Sequence, residues 1–204
     1  VSNGQKEALK ALNIIKSTGK GRIWEFFTGC ITFPIFDETG KVVHFYARKA
    51  DPAADNPHLY LSGHKSIFNR KASRVYDTII FTESIFDCLS LITMGFENVQ
   101  PLYGVGTLTA EHIQILKDDR VKTIILAFDN DAAGRKGCEK HKKTLLEAGF
   151  GVKVITPPSG KDWNDCLIAG TKKSDIQKLI NETEELSPEK KDAKKTFTAT
   201  KKGI

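Results

Sequence analysis

Residues 123–134 read Thr-Ile-Ile-Leu-Ala-Phe-Asp-Asn-Asp-Ala-Ala-Gly, and this stretch decides the fold. Its apolar first half predicts a buried strand, and a long polar helix pattern follows it. The side chains of Asp129 and Asp131 point the same way where the strand ends, so they need a compensating cation. A hard divalent metal bound by oxygens is the simplest such cation. The small residues that follow, ending in Gly134, let the backbone or a phosphate come close.

A second short apolar run, Thr78–Phe81, ends in a similar way. Glu83 follows it and a helix pattern begins at once, which places Asp87 about one helical turn further on. Ligand sites in open parallel sheets form outside the carboxyl ends of the strands. If the two strands are neighbours, the four carboxylates converge and cannot all stay ionised without cations. The alternative is a set of unrelated helix caps and solvated loop acids, but the match of both groups to strand ends favours a metal site.

Strand and helix patterns alternate regularly from Tyr76 onward. The predicted strands and helices, in chain order, are 78–81, 85–94, 99–103, 110–116, 123–128, 133–148 and 152–155. Such alternation indicates an α/β fold with a Rossmann-like parallel sheet and helices on both of its faces. Gly95, Gly149 and Gly170 follow helices, as C-terminal caps do.

The residues before Tyr76 show a different pattern of predicted secondary structure. A weak helical pattern covers 5–16, and strand patterns cover 23–27, 31–36 and 42–47, the last two joined as a hairpin by a turn-rich segment. This predicts a small mixed α+β subdomain. The expected organisation is therefore this subdomain at 1–75, the α/β domain at 76–170, a C-terminal helix at 171–186 and a basic disordered tail or linker at 187–204.

The net charge bears on phosphate binding, and the spacing of the cysteines bears on zinc binding. The chain has 204 residues and a net charge of +6, and the tail carries four of those charges, because its six lysines face only Glu189 and Asp192. Such a tail can attract phosphates, although we favour a solvated linker. The four cysteines are far apart and form no Cys-x-x-Cys pair, which argues against zinc in this segment and indicates a reduced protein.

The location of the protein is expected to be cytoplasmic. No apolar run is long enough for a membrane span, and no signal-peptide pattern opens the chain. His58 and His64 share a loop without a cysteine or acid cluster, so we interpret both as surface residues. Because the chain begins at Val1, we expect it to be a segment of a longer protein.

Taken together, these motifs resemble a known family. Glu83, Asp87 and Asp129-x-Asp131 resemble the Toprim domain that bacterial-type primases, topoisomerases and some nucleases share. The segment Phe33-Pro34-Ile35, with Asp37, Gly40 and Val42-Val43, is similar to one that precedes Toprim in the bacterial replicative primase core. Further matching segments are Tyr60–Ser62, Phe68–Arg70, Tyr103–Thr107 and Gly160–Asp162.

The resemblance implies a primase catalytic core, which makes short RNA primers on single-stranded DNA from ribonucleoside triphosphates. It implies Mg²⁺ or Mn²⁺, roughly one to three ions, held by acidic side chains. In that family pattern the ligands are Asp129, Asp131 and Asp162, with Glu83 as a ligand or the base for the 3′-hydroxyl and Asp87 as an accessory ligand. It also implies that basic residues face template or triphosphate, here Arg48, Arg70 and Lys161. A replicative helicase would bind through regions outside this segment.

The chain also departs from the family pattern at several basic positions. Cys30 stands where the family usually has arginine, and His58 or Leu59 replaces a lysine. The third acidic motif, usually Asp-Pro-Asp, is here Asp162-Trp163-Asn164, with Asp165 next. A divergent primase of a phage or mobile element would fit these changes.

Two other functional classes remain open. One is another Toprim phosphotransfer enzyme, although a topoisomerase needs a tyrosine domain and a nuclease needs no primase-type N-terminal segment. The other is a weakly active or non-catalytic nucleic-acid-binding module, which the lost basic positions favour.

Overall fold

The computed structural model describes residues 2–37, 39–51, 53–61, 67–102 and 108–188. The chain divides into two compact units, Val1–Ala72 and Ser73–Ile204. The predicted turn at Tyr103–Thr107, most of the predicted tail, His64 and the end of the Tyr60–Ser62 segment lie outside the described residues. No helix in the described ranges is long and apolar enough to cross a membrane.

The first unit is a small mixed α+β structure. Its elements are α1 (Asn3–Ala11), β1 (Ile15–Ser17), β2 (Ile23–Glu25), β3 (Cys30–Phe36), β4 (Val42–Lys49) and β5 (His58–Tyr60). Strands β1 and β2 form an antiparallel ribbon, and β3, β4 and β5 form an antiparallel sheet in that order. The predicted hairpin is therefore confirmed as β3–β4, with a register shift at Ile35/Phe36.

The predicted helix over 5–16 is wrong in its second half. Helix α1 ends at Ala11, and Asn13 adopts a positive φ of 58°, which a helix cannot continue through. Ile15 then pairs with Glu25 in the β1–β2 ribbon. The apolar residues that suggested one continuous helix face are thus divided between a helix and a strand, whose periods differ. The predicted strand over 23–27 is also shorter, since β2 ends at Glu25.

The second unit is an α/β domain built on four parallel strands. Helix α2 (Lys71–Val75) crosses into it, and its own elements are β6 (Thr78–Thr82), α3 (Ile85–Thr93), β7 (Val99–Pro101), α4 (Ala110–Asp118), β8 (Thr123–Ala127), α5 (Ala132–Ala148), β9 (Gly151–Ile155), α6 (Trp163–Ile168) and α7 (Lys173–Glu182). The sheet order is β7-β6-β8-β9, and every pair is parallel. The predicted α/β sheet flanked by helices is confirmed.

The core of this unit lies on the two central strands. Ile79, Phe81, Ile124 and Leu126 are completely buried. Strands covered on both sides read as continuous apolar runs, which is why β6 and β8 were recognisable in the sequence. Because β6 and β8 are direct neighbours in register, the residues that follow them are brought to the same edge of the sheet.

The connections of the second unit follow the predicted capping pattern. Gly149 ends α5 in the left-handed conformation with a φ of 96°, and Gly95 and Gly170 also have positive φ. After α7 the chain returns to the sheet, where Leu186 forms an isolated antiparallel bridge with Val152. The predicted C-terminal segment therefore includes a contact with the edge strand β9.

Candidate active site

Glu83 and Asp129 meet where the two central strands end. Glu83 directly follows β6, and Asp129 comes two residues after β8. The backbone N–H of Asp129 donates to Oε1 of Glu83 over 3.2 Å. This contact between residues 46 positions apart follows from the β6–β8 pairing. The structure thus brings together the two halves of the acidic pattern.

Asp131 begins helix α5. Its Oδ1 accepts a 2.8 Å hydrogen bond from the backbone N–H of Gly134, so it is the N-cap of the helix. The helix start lies so close to the strand end that a side chain at Gly134 would overlap the backbone oxygen of Asp129 and the carboxylate of Glu83. Gly134 is therefore required by close approach of the backbone rather than by its dihedral angles.

A second loop lies beside the Asp-x-Asp turn. The backbone N–H of Asn130 donates to the carbonyl oxygen of Lys161 over 2.8 Å. Asp162 then caps α6 by accepting a 2.8 Å hydrogen bond from the N–H of Asp165. Oδ2 of Asp165 accepts in turn from the N–H of Lys161 over 2.7 Å. Asp165 therefore stabilises this loop. The sequence did not predict that role, because it showed only that Asp165 follows the altered acidic motif.

Asp87 is buried beneath this loop. Its Oδ2 accepts a 2.6 Å hydrogen bond from the hydroxyl of Ser84, and its Oδ1 accepts a 3.1 Å bond from the backbone N–H of Trp163. The indole of Trp163 is fully buried and donates to the carbonyl oxygen of Ala127 over 2.8 Å. Trp163 therefore links the start of α6 to α3 through Asp87 and to the end of β8 through Ala127. Sequence reasoning saw it only as a departure from the family pattern, in which proline has no N–H to donate.

The carboxylates act on one another electrostatically. Burial, and then the negative charges of Asp87 and Glu83, raise the pKa of Asp129 to about 7. Burial also raises the pKa of Glu83, with a further contribution from Asp131. Burial is the main cause of the raised pKa of Asp87 as well, and the charge of Asp162 adds to it. The five predicted acids are thus close enough to interact, as a cation site requires.

Asp131 behaves in the opposite way. The hydrogen bond from Gly134 lowers its pKa, as does the ammonium of Lys161. Nζ of Lys161 lies 3.0 Å from Oδ2 of Asp131 and 3.8 Å from Oδ2 of Asp129. Pairing with Asp131 also raises the pKa of Lys161. The residue predicted to bind nucleotide is therefore placed against the predicted metal ligands.

The acidic side chains are of the type that binds divalent cations, but they are not arranged as a complete set of metal ligands. In the described part of the chain, no three acidic, histidine or cysteine side chains converge as a ready metal cage. However, Oδ1 of Asp129 is buried and has no hydrogen-bond partner among the described residues. A buried carboxylate oxygen without a donor, beside further carboxylates, fits a hard cation with oxygen ligands.

Arg48 belongs to the first unit and lies on β4. Its guanidinium donates to Nε2 of His58 over 3.3 Å, and Nδ1 of His58 lies 2.9 Å from the hydroxyl of Tyr46. Because arginine can only donate, Nε2 must accept, which leaves Nδ1 to carry the proton of a neutral ring. Burial and the charge of Arg48 lower the pKa of His58, in agreement with that assignment. Arg70 lies half-buried in the turn before α2, and the roles of both arginines stay predictions.

Two protein-family models match consecutive parts of the chain. The family model "DNA primase catalytic core, N-terminal domain" matches residues 2–80, and the model "Toprim-like" matches residues 80–167. A DNA primase of Deinococcus radiodurans is 30% identical over 81% of this chain and 30% of its own length. A DNA primase of Clostridium acetobutylicum is 32% identical over 69% of this chain and 24% of its own length. The chain thus spans a third or less of these curated relatives.

Solved structures share the fold. A DNA primase domain from Pseudomonas aeruginosa matches with a TM-score of 0.78 at 22% identity, covering 92% of this chain and 61% of that one. The zinc-binding and RNA polymerase domains of the Aquifex aeolicus primase match with a TM-score of 0.76 at 26% identity, covering 90% and 47%. Both units of the chain therefore have counterparts in one class of proteins.

Proposed function

The chain belongs to the bacterial-type DNA primase family, and we propose that it catalyses metal-dependent nucleotidyl transfer, joining ribonucleotides into short primers on single-stranded DNA. One observation carries the proposal. Glu83 and Asp129 meet at neighbouring strand ends, where burial and neighbouring carboxylates raise the pKa of Asp129 to about 7. Such a site is poised to accept cationic charge, which phosphoryl-transfer chemistry requires.

The proposed metal ligands are Asp129, Asp131 and Asp162. Bound Mg²⁺ or Mn²⁺, roughly one to three ions, would supply charge stabilisation for the attacking and leaving oxygens. The unpartnered, buried Oδ1 of Asp129 supports its role as a ligand. Asp131 and Asp162 each use Oδ1 to cap a helix, which holds the carboxylate in place at the start of that helix.

Glu83 and Asp87 differ in their surroundings, and so do their proposed roles. Burial raises the pKa of Glu83, which suits a group that holds or takes the proton of a 3′-hydroxyl, and Glu83 can alternatively serve as a ligand. Asp87 accepts hydrogen bonds on both oxygens, from Ser84 and Trp163. We therefore propose that Asp87 positions the loop that carries Asp162, and that it adds negative charge to the site as an accessory group.

The proposed polyanionic partners are a single-stranded DNA template and ribonucleoside triphosphates. Arg48, Arg70 and Lys161 are the basic residues proposed to contact them. His58 holds Arg48 in a defined orientation through a 3.3 Å contact, which supports a recognition role for its guanidinium. A replicative helicase is proposed to bind through regions outside this chain.

The test is primer synthesis. Protein containing this chain is incubated with a single-stranded template, labelled ribonucleotides and either Mg²⁺ or Mn²⁺, and the products are resolved on a denaturing gel. We expect short RNA that depends on the metal and disappears in Asp129→Asn, whose circular dichroism should match the parent. In a parallel reaction the template carries the label instead, and its cleavage without RNA synthesis would establish the nuclease alternative. DNA binding without synthesis or cutting would establish the non-catalytic alternative.

A further inference from the structure

The ammonium of Lys161 lies within the acidic site. Its Nζ is 3.0 Å from Oδ2 of Asp131 and 3.8 Å from Oδ2 of Asp129. One positive charge therefore faces both carboxylates of the Asp-x-Asp turn. These are also the carboxylates that the proposed function gives to a divalent ion.

The backbone of Lys161 is held more firmly than the end of its side chain. Its N–H donates to Asp165 over 2.7 Å, and its carbonyl oxygen accepts from Asn130 over 2.8 Å. The preceding Gly160 has a φ of +72° and leaves room for Asp165 that a side chain would fill. The side chain of Lys161 itself is 59% exposed, so its end can rotate toward solvent without disturbing these contacts.

We propose that Lys161 is an internal counter-ion of the acidic site, and that a divalent ion displaces its ammonium from Asp129 and Asp131 on binding. The inference rests on the proposed function, which supplies the metal. An ammonium donates hydrogen bonds to the same carboxylate lone pairs that a metal would take, so the two cations compete. They also repel each other across a few ångströms. After displacement, the ammonium is a mobile point charge beside the metal, where anionic phosphate is attracted.

An ordinary surface ion pair would behave differently. If Lys161 is only a surface residue, its replacement leaves the metal affinity unchanged. If Lys161 instead holds the carboxylates in place, its replacement weakens metal binding. Displacement predicts the opposite sign, because removing the competing charge tightens metal binding. The direction of the change in metal affinity therefore separates the counter-ion role from both alternatives.

The experiment is a titration of the protein with Mn²⁺, followed by the electron paramagnetic resonance signal of the free ion. We expect Lys161→Met to bind Mn²⁺ about five-fold more tightly than the parent, the factor that corresponds to a modest exposed ion pair. Lys161→Arg keeps the charge and should stay close to the parent. Lys122→Met is the matched control, since Lys122 forms an exposed 3.1 Å pair with Asp77 at the opposite end of β8. It should leave the affinity unchanged.

Two results would overturn the inference, and they are distinguishable. If the parent binds Mn²⁺, Asp129→Asn does not, and Lys161→Met binds no more tightly than the parent, the metal site stands and the counter-ion role falls. The counter-ion role also falls if Lys161→Arg gains as much affinity as Lys161→Met. If the parent itself binds no Mn²⁺ at millimolar concentration, the metal site fails and the role of Lys161 fails with it.

Discussion

Replacing Gly134 with alanine tests the close approach on which the site depends. The new Cβ would overlap the backbone oxygen of Asp129 and would lie 2.7 Å from Oε1 of Glu83. Overpacking of this kind costs about 3 kcal/mol when a backbone atom must move, since a backbone cannot rotate away as a side chain can. The higher helix propensity of alanine stabilises the folded protein by about 1 kcal/mol. Displacing Gly134 from the cap of Asp131 removes a contribution of about the same size.

The net effect of Gly134→Ala is a loss of about 3 kcal/mol in the free energy of unfolding, which lowers the melting temperature by roughly 6–12 °C for a protein of this size. Thermal unfolding followed by circular dichroism measures it. Gly4→Ala is the matched control, because Gly4 also lies in a helix but has no heavy atom within 4 Å of the added Cβ. Its melting temperature should stay the same or rise. A Gly134→Ala variant as stable as the parent would refute the close approach of α5 to the strand end.

Three further predictions concern the same site. Asp129→Asn should raise the free energy of unfolding of the metal-free protein, and its gain over the parent should grow as pH rises. The reason is that the pKa of Asp129 is raised to about 7 in the folded protein. Such a carboxyl contributes stability that is complete below its unfolded pKa near 4 and is lost as the pH rises through 7. With allowance for solvent screening, we expect the gap at pH 8 in EDTA to exceed that at pH 4 by about 2 kcal/mol by urea unfolding, and a constant gap would contradict the pKa. Trp163→Phe removes the indole donor to Ala127 and should cost about 1–3 kcal/mol in the same assay, because it leaves a buried carbonyl without its donor, whereas an unchanged midpoint would show that this bond is not made. Gly160→Ala should lower Mn²⁺ affinity at the proposed metal site, since its positive φ and its overlap with Asp165 strain the loop that carries Asp162, and unaltered affinity would show that this loop takes no part in the proposed site.

The sequence was most informative where local pattern and sheet topology agree. Apolar runs predicted β6 and β8, and the rule that ligand sites form at the carboxyl ends of parallel strands predicted that Glu83 and Asp129 would meet. Their 3.2 Å contact is present. Periodicity failed at residues 12–17, because helix and strand patterns of only a few residues cannot be separated when a turn at Asn13 lies between them.

The rest of the site depends on contacts between distant residues that no local pattern encodes. The hydrogen bond from Trp163 to Asp87 joins residues 76 positions apart. The approach of Lys161 to Asp131 depends on the backbone bond between Asn130 and Lys161, which forms only when β8 and the loop before α6 are both in place. Residue type could suggest that these side chains matter, but only the folded chain shows which of them touch.

The bonds made by Trp163 bear on where this protein can be cut. Its indole and backbone N–H connect the loop before α6 to Ala127 and Asp87, so α6 completes the interior of the domain and is not an appendage to it. A shortened version ending before residue 163 would expose the carbonyl of Ala127 and leave the buried carboxylate of Asp87 with one donor fewer. Helix α7 buries Ile176 and Ile180, and Leu186 pairs with Val152 of β9. For expression of the second unit alone, or for exchange of this domain between relatives, the C-terminal boundary therefore belongs beyond Leu186.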